Sequence, residues 1–287
     1  MEAPLPPLPN VRHREIEVAG VRLHVAEAGD EGAEAVVLQH GWPQHFYAWR
    51  AQVEPLSQRY RVICPDLRGF GWSEAPPDGY GKQQLADELV ALLDELELER
   101  VRYVGHDWGA FVGFLLGLGA PERVSHLFLM SFPHPWPPEG RPDPRRLLRL
   151  WYQALIAAPA TGGVQPGLVK RVLNAARAVG EFSDEELEIY AARFADPARA
   201  NAARQLYRTF LLRELRGLVG GEYRSRRLSV RTHLLMGSED PVLPAEGIGG
   251  YEPYTDAMTA EILPGPGHWI AEEAPQEVTD RLLRFLA

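Results

Sequence analysis

One cysteine in 287 residues, Cys64, leaves no internal disulfide. Its setting, Val62-Ile63-Cys64-Pro65, is that of a buried strand end, so a core role is expected rather than a reactive one. No apolar run approaches the roughly 20 residues that span a bilayer. Met1 to Asn10 is proline-rich and lacks the basic-then-apolar pattern of a secretory signal. A cytoplasmic protein with no membrane partner is the expectation. Basic residues are the scarcer charge, 30 against 39 acidic, for a net charge of −9. That balance argues against a nucleic-acid partner. The nine histidines form no His-x-x-x-His pair and the lone cysteine has no metal-ligand spacing, so neither a metal nor another cofactor is expected. Glycine-rich patches near 217–221 and 247–250 lack the strand-to-helix context of a phosphate loop and read as turns. A hydrophobic content of 45% with 24% charge is that of a globular chain long enough for a large core.

What is present is an alternation. Ile16 to Val18 and Val21 to Val25 flank Ala19-Gly20 as an opening hairpin. Short apolar strands are expected at Ala35 to Leu38, Tyr60 to Cys64, Val101 to Val104, Val124 to Met130, His233 to Met236 and Thr259 to Leu263. Leu85, Leu89, Leu92, Leu93 and Leu96 recur at helical spacing, and a closing helix runs near Gln276 to Leu286. Continuous apolar strands between amphipathic helices predict an α/β fold, a mostly parallel sheet with helices on both faces. The rhythm breaks between 137 and 228. Pro135 to Pro144 holds five prolines, Ser183-Asp184-Glu185-Glu186 is a capping box, and no convincing strand follows until 229. This predicts an all-helical cap, 137–228, inserted into a core domain of 1–136 and 229–287. Such a cap would cover the carboxyl ends of the strands, where open α/β sheets bind ligands.

Gly105-His106-Asp107-Trp108-Gly109 lies between a strand-like run and the apolar run Phe111 to Leu118. Its spacing is that of a nucleophile elbow, a strand turning sharply into a helix, with glycines where the turn is tight. The central residue is Asp rather than Ser. A carboxylate nucleophile forms an ester with carbon and suits attack on an electrophilic alkyl centre. Such a nucleophile needs a base and an acid to orient it. Gly267-His268-Trp269 follows the last strand, and Ser238-Glu239-Asp240-Pro241 follows the one before it. His268 is the expected base, held in the right tautomer by Asp240, with Glu239 as the fallback. The end of the Val124 to Met130 strand, Ser131-Phe132-Pro133-His134-Pro135, offers no carboxylate. The chain order nucleophile, acid, histidine is that of α/β hydrolases.

On His40-Gly41-Trp42-Pro43, Gly105-His106-Asp107-Trp108-Gly109-Ala110, Asp240 and Gly267-His268-Trp269, the chain resembles the α/β-hydrolase superfamily over nearly its whole length. Within it the resemblance is to epoxide hydrolases of the soluble type. The resemblance implies an oxyanion hole formed by the Trp42 and Trp108 backbone N–H groups, and a cis bond before Pro43. It implies a small apolar epoxide as substrate, a vicinal diol as product and two cap tyrosines as ring-opening donors. Tyr207, in Leu206-Tyr207-Arg208, matches the second of these; Tyr152, in Trp151-Tyr152-Gln153, stands about where the first belongs. Tyr190 shares a helical stripe with Leu187, Ala191 and Phe194 and reads as core, and Tyr223 receives no role. Trp151, Leu155, Phe210 and Leu211 suggest the apolar pocket wall. Two other readings stand beside this one. A haloalkane dehalogenase would use the same Asp107, with the Trp108 indole as one halide donor and Trp136 or Trp151 as a second. A small-molecule binding protein could use the same shell. A fluoroacetate dehalogenase would carry Arg where Trp108 stands. A homodimer is compatible with the sequence.

Overall fold

The computed structural model describes residues 4–136, 151–158, 164–243, 245 and 248–287. Eight strands form one sheet: β1 (Arg12–Val18), β2 (Val21–Ala28), β3 (Ala35–Gln39), β4 (Arg61–Pro65), β5 (Val101–His106), β6 (Val124–Met130), β7 (Arg231–Gly237) and β8 (Met258–Leu263). Their order is β1-β2-β4-β3-β5-β6-β7-β8. The β1–β2 and β2–β4 pairings are antiparallel and the rest parallel. The opening hairpin turns on Ala19 and Gly20, both at positive φ, the geometry that matches strand twist in a two-residue loop.

The mostly parallel sheet expected from the apolar strands is what forms. In β3, Val36 and Leu38 face one cluster of core side chains while Ala35 and Val37 face the other. With a period of two, that requires cover on both faces. One face packs α2 (Lys82–Glu95) and α3 (Trp108–Gly119); the other packs α1 (Arg50–Ser57) and the closing helix Pro275–Leu286. Helix α1 is short, with Pro55 inside it and only Val53 and Leu56 as buried apolar residues, and was not anticipated. Cys64 is buried in the sheet, in the core role expected for it.

Between β6 and β7 the described chain is helical: α4 (Trp151–Ala157), α5 (Pro166–Ala175), α6 (Asp184–Ala191), α7 (Pro197–Thr209) and α8 (Leu215–Gly220). A wide π-helical turn, Phe210–Glu214, joins α7 to α8. The Ser183 capping box forms in both directions with Glu186. After β8 come α9 (Ile270–Glu273) and α10 (Pro275–Leu286). Among the described residues no helix is long and apolar enough to cross a membrane.

Candidate active site

Strand register brings the motif loops to one edge. Gln39 at the end of β3 pairs with Gly105 in β5, His106 with Met130 in β6, and Gly237 in β7 with Leu263 in β8. The loops after β3, β5, β6, β7 and β8 therefore leave the sheet side by side.

Asp107 is the hinge between β5 and α3. Its backbone sits at φ 52°, ψ −121°, a region that costs a non-glycine residue about 1–3 kcal/mol and is tolerated where a side chain must be presented. The flanking glycines are a packing necessity: a Cβ on Gly109 would lie 2.3 Å from the Gln39 carbonyl oxygen. The Tyr103 hydroxyl donates to the Gly109 carbonyl at 2.7 Å, and Asp107 N–H donates to Met130 O at 3.0 Å. The carboxylate thus projects from a braced turn at a helix N-terminus, where the dipole favours its charge.

The loop after β3 reaches that carboxylate. Trp42 N–H donates to Asp107 Oδ1 at 2.9 Å, and the Trp42–Pro43 bond is cis. A Cβ on Gly41 would come within 2.3 Å of the same oxygen. His40 is buried and held neutral: its Nε2 accepts from Leu67 N–H, which leaves Nδ1–H to donate to Gly41 O. Trp108 opens α3, so its N–H is one of the first-turn amides that no helical carbonyl can reach. Among the described residues the buried Trp42 indole N–H has no hydrogen-bond partner, while the Trp108 indole acts on the Tyr207 hydroxyl.

His268 is fixed on every side. Its Nδ1 meets Asp240 Oδ2 at 2.8 Å, and its Nε2 lies 3.6 Å from Asp107 Oδ2. Its N–H donates to Ala176 O; its carbonyl accepts from Ser131 Oγ at 2.9 Å and from His106 Nε2 at 2.8 Å. Burial pushes His106 down to about 4, so it is neutral and donates through Nε2–H. Asp240 Oδ1 accepts the Val242 and Leu243 N–H groups, leaving Oδ2 for the histidine. Glu239, the fallback acid, is exposed and accepts from its neighbour Ser238 Oγ, away from His268. Burial opposes charge on His268, but Asp240 and Asp107 overcome it and raise its pKa.

Tyr207, near the end of α7, is buried edge-on between two tryptophans, its ring centroid 5.3 Å from Trp42 and 5.6 Å from Trp108. Tyr152 in α4 lies 6.3 Å from it, ring to ring. Burial is the main cause that raises both phenols, with Asp107 adding to it, so both keep their protons. Phe210 packs on Trp108 at 4.9 Å, and Leu211 is half-buried. Leu155 is 42% exposed and faces outward instead of joining a buried wall. The Trp151 side chain lies outside the described residues. Trp136 is committed elsewhere: its Nε1 donates to Tyr223 O, and it stacks on Tyr254. Tyr190 is core, as its stripe indicated, and its hydroxyl also donates to Glu272 Oε1 at 2.8 Å.

Two further residues shape the site without belonging to any of its motifs. Glu273 accepts four backbone N–H groups, from Gly267, Ala178 and Val179 at Oε2 and from Trp269 at Oε1, all within 2.9 Å. It ties the His268 loop to the segment after α5; the acidic pair after Trp269 was the available signal. Lys82 is buried at the start of α2, beneath Trp108, and nothing in Gly81-Lys82-Gln83 marks it.

The alpha/beta hydrolase fold family model matches residues 34–275. Epoxide hydrolase A of Mycobacterium tuberculosis is 31% identical, over 95% of this chain and 96% of its own length. The crystal structure of epoxide hydrolase VrEH1 from Vigna radiata superposes with a TM-score of 0.82 at 27% identity, over 98% of this chain and 99% of that one. A Salmonella enterica structure described as a putative acyltransferase superposes with a TM-score of 0.87 at 26% identity, over 97% and 96%.

Proposed function

The chain belongs to the alpha/beta hydrolase fold family and, within it, to the epoxide hydrolases, and on that footing we propose that Asp107 opens an epoxide by forming an ester with one of its carbons. The observation that carries this reading is the Asp107 carboxylate itself, presented on a strained turn with Trp42 N–H on one oxygen and His268 near the other. A fold shared with a protein described as an acyltransferase does not choose the chemistry; a carboxylate in place of a serine hydroxyl does.

In the first step an Asp107 oxygen attacks an epoxide carbon and the carbon–oxygen bond of the ring breaks. Tyr207 and Tyr152 donate hydrogen bonds to the departing oxygen, which becomes an alkoxide and takes up a proton. Esterification removes the Asp107 charge. His268 then loses one of the two carboxylates that raised its pKa, and the proton it sheds balances the one the alkoxide gains. Now neutral and oriented by Asp240, His268 takes a proton from water, whose oxygen attacks the ester carbonyl. The Trp42 and Trp108 N–H groups stabilise the tetrahedral oxyanion. Collapse releases a vicinal diol and restores the Asp107 carboxylate and protonated His268. No cofactor enters, and every side chain used comes from one protomer.

We assign 137–228 to a cap and 1–136 with 229–287 to the core; the helices described between Trp151 and Gly220 support that division. Phe210 and Leu211 form the apolar wall in this reading, which suits a small apolar epoxide.

A single turnover in heavy-oxygen water tests the ester route. The first diol should carry ordinary oxygen drawn from Asp107, with the label appearing in the protein. Solvent oxygen in the first-turnover diol would rule the route out.

A further inference from the structure

We propose that Lys82 is a positioning residue for ring opening: its ammonium clamps the π-helical turn beside Tyr207 and seats that tyrosine against Trp108. This rests on the donor role given to Tyr207 above.

Lys82 is 1% exposed. Its Nζ donates to Leu206 O at 2.5 Å and lies 3.0 Å from Glu214 Oε2, while its backbone N–H donates to Glu214 Oε1 at 2.8 Å. One side chain therefore grips the peptide carbonyl just before Tyr207 and the last residue of the Phe210–Glu214 turn. The ammonium also sits over the rings of Trp108, at 4.7 Å, and Phe210, at 5.4 Å. Trp108 follows the attacking carboxylate in sequence, and its ring is one of the two that bracket Tyr207.

A buried charge is a poor device for stability alone, because its desolvation offsets the attraction, and an apolar side chain of similar size does as well. A buried charge does impose geometry, since its partners must stay aimed at it. The clamped element is a π turn, a widened stretch that α-helical bonding alone does not hold in place and that recurs at functional sites. Without the clamp the turn is free to relax toward regular helix, and Tyr207, one residue from the gripped carbonyl, moves with it. His268 and Asp240 hang from other strands and should be untouched.

Among the described residues Glu214 is the acidic side chain facing the ammonium; the other neighbours are the Tyr80 and Leu206 carbonyls and the Trp108 and Phe210 rings. Burial pulls Lys82 down to about 8, against the support of Glu214. The clamp should therefore release in mildly alkaline solution.

The test is single-turnover kinetics with styrene oxide, resolving ester formation from ester hydrolysis, in the native protein, Lys82→Met and Glu214→Gln. In Lys82→Met, ester formation should slow roughly tenfold to a hundredfold, the scale of a reacting group misplaced by about 1 Å, while hydrolysis holds within about twofold. The native rate of ester formation should fall as pH rises through the Lys82 range. Glu214→Gln should move that fall to lower pH, and Lys82→Met should lack it. His268 is present in all three, so a limb surviving in Lys82→Met belongs to it. Unchanged ester formation, or an equal loss in both steps, would overturn the positioning role. Should Lys82→Met not fold, the limb in Glu214→Gln decides alone, and an unmoved limb overturns the proposal. No ester in the native protein would instead be a failure of the proposed reaction.

Discussion

Glu273→Gln changes one oxygen to an amide in a side chain that organises the His268 loop. The carboxylate accepts three N–H groups at Oε2 and one at Oε1. With glutamine, the oxygen is best placed toward the three, which puts the NH2 group against Trp269 N–H. That leaves one buried donor facing another, at about 1–3 kcal/mol, and turns three bonds to a charged acceptor into bonds to a neutral one, at roughly 1 kcal/mol each. Shared geometry makes these terms less than additive, so a total of about 3–5 kcal/mol is expected. The kinetic effect should fall on one step. Gly267 and Trp269 flank His268, and Ala178 and Val179 follow the carbonyl that binds its N–H. Loosening this knot displaces the base but not Asp107, so ester hydrolysis should slow while ester formation is largely kept. Urea unfolding gives the first number and single-turnover kinetics the second. A stability loss below about 1 kcal/mol with normal hydrolysis would refute the reasoning, because it would mean that these four bonds carry neither the loop nor the base.

Other expectations are more direct. Tyr207→Phe should slow ester formation roughly tenfold to a hundredfold, Tyr152→Phe should add to it, and neither should slow hydrolysis, as rapid-quench kinetics would reveal. Asp240→Asn should lower kcat by about a thousandfold or more and let the ester accumulate, since an amide at that position favours the wrong histidine tautomer; intact mass during turnover reads this. Asp66, buried 3.8 Å from His40, accepts from the Phe46 and Trp72 N–H groups and meets His24 Nδ1 at 2.8 Å. Burial would raise its pKa, but the His24 ring bonded to it lowers it strongly. A carboxyl depressed in the folded state stabilises above its ordinary range and loses that contribution as pH falls. Asp66→Asn should therefore cost about 3–5 kcal/mol at pH 7. Its deficit against the native protein should shrink in denaturation curves taken below the usual carboxylate range.

The strands were legible because a sheet covered on both faces demands continuous apolar runs, and β6 falls where its run begins and ends. Asp107, Asp240 and His268 were legible because strand ends put distant loops side by side, so motifs after successive strands had to meet. Tyr207 carried a local likeness that Tyr152 has only loosely, yet α4 and α7 bring the two rings together. Helix α1 escaped because it is short, with Pro55 inside it and only Val53 and Leu56 as buried apolar residues. Lys82 and Glu273 escaped for a different reason. Each acts on backbone groups of segments remote in sequence, and a bond to a backbone carbonyl or N–H imposes no pattern on the residues that supply it. Leu155 was misread because helical apolar residues at a surface look the same in sequence as those lining a cavity.

The covalent intermediate is the centre of the account. His268→Gln should still form the Asp107 ester but lose the base that hydrolyses it. Its intact mass should rise by the mass of the whole epoxide after incubation with styrene oxide, on the peptide that contains Asp107, and stay unchanged in a separate incubation with 1-bromobutane. The gain should vanish when Asp107→Asn is added. A gain of only the butyl group, with bromide released and no adduct from the epoxide, or no adduct from either compound, would contradict it.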